Sequence, residues 1–137
     1  MNPQLVVAVA WSYVGTPYIW GGDDPTGWDC SGFVIECLRA DGTLPRTGDW
    51  TANDLWIKYR ANRTNHPSAG CLAFWFRGGL ATHVELCIDA AHTIGASGGG
   101  SRTIDAQMAA EQNAYVKVRP IRPGAVVCDP YGVDRAP

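Results

Sequence analysis

The run DCSGFVIECLRADG, residues 29–42, decides how the rest of the chain is read. Phe33, Val34, Cys37 and Leu38 recur three or four residues apart, the spacing of one helix face, and Gly42 supplies a stop. Asp29 stands where an N-cap belongs, so its carboxylate can accept a backbone N–H of the first turn. Cys30 then falls in that turn, where the positive end of the helix macrodipole and unpaired N–H groups favour a thiolate. Gly32 is a poor helix former at a helix start. Its presence is best explained by another group that approaches closely.

Upstream, residues 3–14 place Leu5, Val6, Val9, Ala10 and Tyr13 at helical spacing, with Asn2 as N-cap and Pro3 at the first helical position. Residues 15–28 crowd glycines and prolines among aromatics, which predicts an ordered loop laid over a wall. Downstream, residues 51–59 read as a short helix capped by Thr51. Three β-rich runs follow, 71–76, 82–88 and 92–96, with turn residues between them, and predict an antiparallel meander. Residues 104–111 suit a helical turn or two, and YVKVR, residues 115–119, alternates as a last strand. The proline-rich remainder, 119–137, reads as an extended C-terminal tail of one domain, 1–137.

Sixteen glycines and nine prolines in 137 residues are roughly half again the usual share, which disfavours a bundle of long helices. A formal charge of −2 leaves no field to hold a polyanion, so nucleic acid is not expected as a partner. The apolar stretch 5–10 is too short to span a bilayer, and no membrane contact is predicted. No Lys or Arg precedes it, so no secretory signal is read. Five cysteines at irregular spacing indicate neither a disulfide framework nor a metal site, and no cofactor is implied.

A thiolate nucleophile needs a base within hydrogen-bond reach, and the chain offers His66, His83 and His92. His66 precedes a proline in a loop. His83 opens a strand after a glycine turn, so its ring can project toward a helix end packed on the sheet. Cys37 lies on the apolar stripe of its helix, and Cys71 and Cys87 lie within strands, where burial as small hydrophobes accounts for them.

The runs TPYIWGG (16–22), DCSGFV (29–34), CLAFW (71–75) and THVEL (82–86), in this order, resemble the NlpC/P60 family of cysteine peptidases over residues 4–118. The resemblance implies an α+β, papain-like fold, with N-terminal helices on a central antiparallel sheet. It also implies cleavage of peptidoglycan stem peptides, typically between γ-linked D-glutamyl and a diamino acid. Carried over by position, Cys30 is the nucleophile, His83 the base, and Tyr18 a hydroxyl that helps polarise the carbonyl. Asp29 and Ser31 match residues that receive the free amine of the stem, although for Asp29 capping alone is an equal reading. Trp20 and Trp28 flank the nucleophile loop and are candidates to wall the substrate groove or to cover the core. Trp50, Trp56 and Trp75 read as core or helix-packing residues.

One departure stands out. The family generally carries a third polar residue, often His, twelve positions after the base, in a run like IHAS. Here the run is IGAS (94–97), so that position is Gly95. The family commonly has Gly two residues after the base, where this chain has Glu85. Positions 83, 85 and 95 share one face if the strands pair as a hairpin. Glu85 is therefore expected to reach over Gly95 and hydrogen-bond His83 Nδ1. The competing readings are a dyad oriented by water or backbone, orientation by His92 or Ser97, and Glu85 as a substrate contact.

The function expected is a peptidoglycan endopeptidase acting as a monomer. An amidase or transacylase on the same fold, and an inactive copy that binds wall peptide, are the alternatives. The chain is expected to be made in the cytoplasm and to reach the wall by lysis, injection or carriage in a virion, as a phage endolysin or tail enzyme or an effector would. A trimmed piece of a longer secreted protein is the remaining route.

Overall fold

A computed structural model describes residues 1–24, 27–99 and 102–132. Helix α1 (Pro3–Ser12) begins at Asn2, whose side chain accepts from the Leu5 N–H, and Pro3 needs no partner there. A small pair, β1 (Asp23–Asp24) and β2 (Gly27–Trp28), lies within the aromatic loop. Helix α2 (Cys30–Arg39) follows, then α3 (Ala52–Tyr59), where Thr51 and Asp54 form a reciprocal capping box. A single 3-10 turn, Arg60–Asn62, leads into β3 (Arg63–Thr64). The remaining elements are β4 (Leu72–Arg77), β5 (Leu80–Cys87), β6 (His92–Ser97), α4 (Ala106–Gln112), β7 (Tyr115–Pro120) and β8 (Val126–Cys128).

Strands β3 to β8 form one antiparallel sheet in the order β3-β8-β4-β5-β6-β7. Alternation at period two sends Leu72, Phe74, Val84, Leu86, Ile94, Ala96 and Val116 to one face, where they meet Phe33, Val34 and Leu38 of α2. Burying these side chains is the main source of stability. The opposite face carries a smaller cluster of Cys71, Ala73, Cys87 and Val127, with Trp75, Ile121 and Ala125 against it.

The segment 119–137, expected as an extended tail, re-enters the sheet, so β7 is not the last strand. Val126–Cys128 inserts between β3 and β4, and Val127 and Cys128 fill buried positions that no strand adjacent in sequence supplies. Residues 133–137 of that expected tail lie outside the described residues. Among the described residues no helix is long and apolar enough to cross a membrane.

Candidate active site

Cys30 is the first residue of α2 and is only partly buried, whereas Cys37, Cys71, Cys87 and Cys128 are fully enclosed. The Asp29 carboxylate caps the helix by accepting the Gly32 N–H at 2.7 Å, and the Ser31 hydroxyl donates to the same oxygen at 3.4 Å. The close approach that Gly32 implied comes from the aromatic loop. A Cβ at Gly32 would collide with the Gly22 carbonyl oxygen, which also accepts the Asp29 N–H at 3.1 Å. Asp29 thus ties loop and helix together. Burial raises its carboxyl above the usual range, against N–H bonds from Gly32 and Gly21, and nearby Asp49 adds to the rise.

His83 sits where β5 is irregular. It pairs with Trp75, but Ala81 pairs with the next residue, Phe76, so the register shifts across Thr82. Such a bulge re-aims side chains. Ala81 packs into the helix-side core, while His83 shares the opposite face with Trp75 and Glu85. At this end of the sheet His83 and Cys30 line the same cavity, close enough for each to act on the other electrostatically.

The ring nitrogen bonded to Glu85 is Nε2, at 2.7 Å from Oε2, rather than the expected Nδ1. His83 precedes Glu85 on the same strand face, and the ring edge turned along the strand toward the carboxylate is the distal nitrogen. Burial would lower the His83 pKa, but the hydrogen bond to Glu85 and the electrostatic pull of Cys30 and Glu85 outweigh it and raise it to about 9. The imidazole is therefore held protonated at neutral pH.

Glu85 is 1% exposed and occupies the space above Gly95. A Cβ at position 95 would lie 2.5 Å from Glu85 Cγ. Burial opposes its charge, yet His83, the Thr93 hydroxyl at 2.6 Å and the Arg119 guanidinium at 2.7 Å hold the carboxyl far below the usual range. Arg122 adds a contact at 3.2 Å. A carboxylate so enclosed cannot touch substrate, which removes the reading of Glu85 as a substrate contact. Ser97 Oγ has no hydrogen-bond partner among the described residues, and His92 pairs with Asp89 at the β5–β6 turn, so neither orients His83.

Two cavities meet at Cys30. One, of about 340 Å³, runs between Trp20, Asp29, Ser31, Asp49, Trp50 and Thr51. The other, of about 330 Å³, runs between Arg77, His83, Ser97 and Gly99. Tyr18, Trp20, Cys30 and Thr82 line both. Burial raises the Tyr18 phenol, with Cys30 and Asp29 nearby adding to the rise, so its hydroxyl keeps its proton. Trp20 is 56% exposed at the rim. Trp28 does not reach the cleft. It is 1% exposed, with its ring edge-on to Tyr13 at 5.3 Å, because pairing of β2 with β1 and Tyr18 turns it inward. Trp50 packs against the core as expected and also lines the cleft. Among the described residues no three His, Cys, Asp or Glu side chains converge as a metal site.

The sequence reading missed Thr93, Arg119, Arg122 and Asp49. The alternation of YVKVR puts Arg119 on one sheet face, and pairing with Thr93 places both beside Glu85. No local signal marks Arg122.

The family model described as "NlpC/P60 family" matches residues 15–125. Protein P54 of Enterococcus faecium is 36% identical over 88 residues, 64% of this chain and 17% of that protein. The gamma-D-glutamyl-L-lysine dipeptidyl-peptidase of Bacillus subtilis (strain 168) is 46% identical over 35 residues, 25% of this chain and 12% of that protein. The chain thus spans less than a fifth of the length of these curated relatives. The crystal structure of the NlpC/p60 domain of the peptidoglycan hydrolase SagA superposes with a TM-score of 0.67 at 28% identity, covering 94% of this chain and 99% of that domain.

Proposed function

The chain belongs to the NlpC/P60 family, and on that premise we propose that it is a cysteine peptidase of peptidoglycan stem peptides, cutting between γ-linked D-glutamyl and a diamino acid. The observation that carries this is one constellation: a partly exposed thiol at a helix start that shares a cavity with an imidazole held from behind by a buried carboxylate. The bond assignment is supported by the name of the Bacillus subtilis relative. The cleft continues past Cys30 in both directions, as a chain cut in its middle needs.

In this reading the Cys30 thiolate attacks the scissile carbonyl, and a carbon–sulfur bond forms as the carbonyl π pair moves to oxygen. The Tyr18 hydroxyl and the Cys30 N–H, free at the helix start, face that oxyanion. His83 gives its proton to the leaving amine as the carbon–nitrogen bond breaks and the thioester forms. Water then loses a proton to His83 and attacks the thioester, releasing the acid and restoring the pair. Asp29 and Ser31 line the acyl side beside Trp20, placed to meet a cationic group of the stem.

The test is mass spectrometry of muropeptide digests. Wild type should release a fragment with a new amino terminus at the diamino acid, and Cys30→Ala should release none. Binding without turnover by wild type would replace the peptidase with a wall-peptide-binding copy, and transfer of the acyl group to an added amine would indicate a transacylase.

A further inference from the structure

We propose that Arg119 and Arg122 are positioning residues of this site: by gripping the Glu85 carboxylate from β7 and from the turn after it, they fix its place behind His83 and limit how strongly it holds the imidazole proton. The proposal rests on the hydrolase reading above and extends it to two residues outside the Cys30–His83–Glu85 line.

The geometry is specific. Glu85 Oε2 receives His83 Nε2 at 2.7 Å, an Arg119 terminal nitrogen at 2.7 Å and an Arg122 terminal nitrogen at 3.2 Å. Oε1 receives the Thr93 hydroxyl at 2.6 Å and the other Arg122 nitrogen at 3.5 Å. Arg122 is thus forked across both oxygens, an arrangement a lysine cannot reproduce. It reaches the site from outside the strands, and Trp75 fixes it there. The guanidinium lies 4.4 Å from the Trp75 ring centre, and Trp75 Nε1 donates to the Pro123 carbonyl at 3.2 Å. The same ring lies 5.5 Å from that of His83, so one tryptophan sets the spacing of both. The segment that carries β8 back into the sheet therefore also completes the surroundings of the histidine.

Charge gives this grip a chemical consequence. A lone buried carboxylate against an imidazolium would hold its proton firmly and slow its transfer to a leaving amine. Here two guanidiniums share the carboxylate, and Lys117 of β7 adds a third positive charge to its surroundings. The other charged or titratable groups about His83 are the Cys30 thiol and Asp29 at the start of α2, Tyr18 and Asp49 of the loops, and Arg77 at the end of β4. Strand β6 contributes only uncharged Thr93 and Ser97. Removing one guanidinium should therefore strengthen the hold of Glu85 on the His83 proton.

The experiment titrates the His83 imidazole by NMR, which the presence of three histidines makes tractable, in wild type, Arg119→Gln, Arg122→Gln and Arg122→Lys. The alkaline limb of kcat/KM on a muropeptide is measured alongside. Each Gln variant should raise the His83 pKa by about one unit, the order expected for one charge in a half-buried site, and carry the alkaline limb with it. Arg122→Lys keeps the charge and should stay near the wild-type titration, with kcat lowered by the lost fork. Arg122 is a third exposed, so its variants are the ones to rely on if Arg119→Gln does not fold. An unchanged His83 titration in folded Arg122→Gln, or a loss of rate equal at every pH, overturns the proposal. Because the titration needs no substrate, a shift seen without peptide cleavage would uphold the clamp while refuting the peptidase. Cleavage with no shift would do the reverse.

Discussion

A methyl group at position 95 has no room. In Gly95→Ala the added carbon would lie 2.5 Å from Glu85 Cγ and 3.1 Å from its Cβ and Cδ. Glu85 cannot swing aside freely, since His83, Thr93, Arg119 and Arg122 hold its carboxylate. Overpacking of this kind costs about 1–3 kcal/mol. At this chain length that is a fall in Tm of roughly 4–12 °C. If the carboxylate yields first, His83 loses a charged hydrogen bond of about 1.5–3 kcal/mol, and kcat/KM should drop roughly ten- to 150-fold. Thermal unfolding by circular dichroism and muropeptide hydrolysis read the two effects. In a Glu85→Gly background the same methyl meets empty space, so its penalty should vanish and the double-mutant cycle should show coupling of about 1–3 kcal/mol. A Gly95→Ala protein that melts with wild type, or one whose penalty is the same in both backgrounds, would refute the packing of Glu85 over Gly95.

Stability should peak in a narrow pH band. The native Glu85 carboxyl lies below its ordinary value of 4.5, so its contribution is present above that pH and lost as pH falls. His83 is raised from 6.5 to about 9, so its contribution is full below 6.5 and lost as pH rises through 9. Urea titrations between pH 3 and 10 should show both flanks, and His83→Gln should remove the alkaline one and shrink the acid one, since Thr93 and Arg119 still hold Glu85. Asp29→Ala removes the cap of α2 and should cost about 0.5–2 kcal/mol in the same assay, whereas Asp29→Asn keeps most of the cap and isolates any rise in KM. Tyr18→Phe should lower kcat with little change in KM, and an unchanged kcat would take its hydroxyl out of the oxyanion site.

The parts of the site legible in the sequence are those set by local rules. A helix start with Asp29 as cap places Cys30 in the first turn whatever packs around it, and Gly32 announced a close neighbour that proved to be the Gly22 carbonyl. The meander of β4 to β6 followed from alternation and turns. The meeting of Glu85 with Gly95 followed from their absent and added side chains at matched positions, because antiparallel pairing repeats every two residues. Whether Trp28 walls the groove or covers the core was not legible, for a physical reason. An aromatic in a glycine-rich loop carries no periodicity to say which way it faces, and only the completed loop turned Trp28 inward.

The amino-acid order alone thus determined the family, the mixed helix and antiparallel sheet, and the helix start that presents the thiol, because these depend on spacing within one element or its neighbour. Tertiary structure decided which imidazole nitrogen meets Glu85, that Val126–Cys128 inserts between β3 and β4, and that Arg119 and Arg122 close on a buried carboxylate. Arg122 stands 37 residues from Glu85 along the chain. A buried charge needs partners, but which cations reach it depends on how distant strands come to lie beside one another, and no local pattern carries that information.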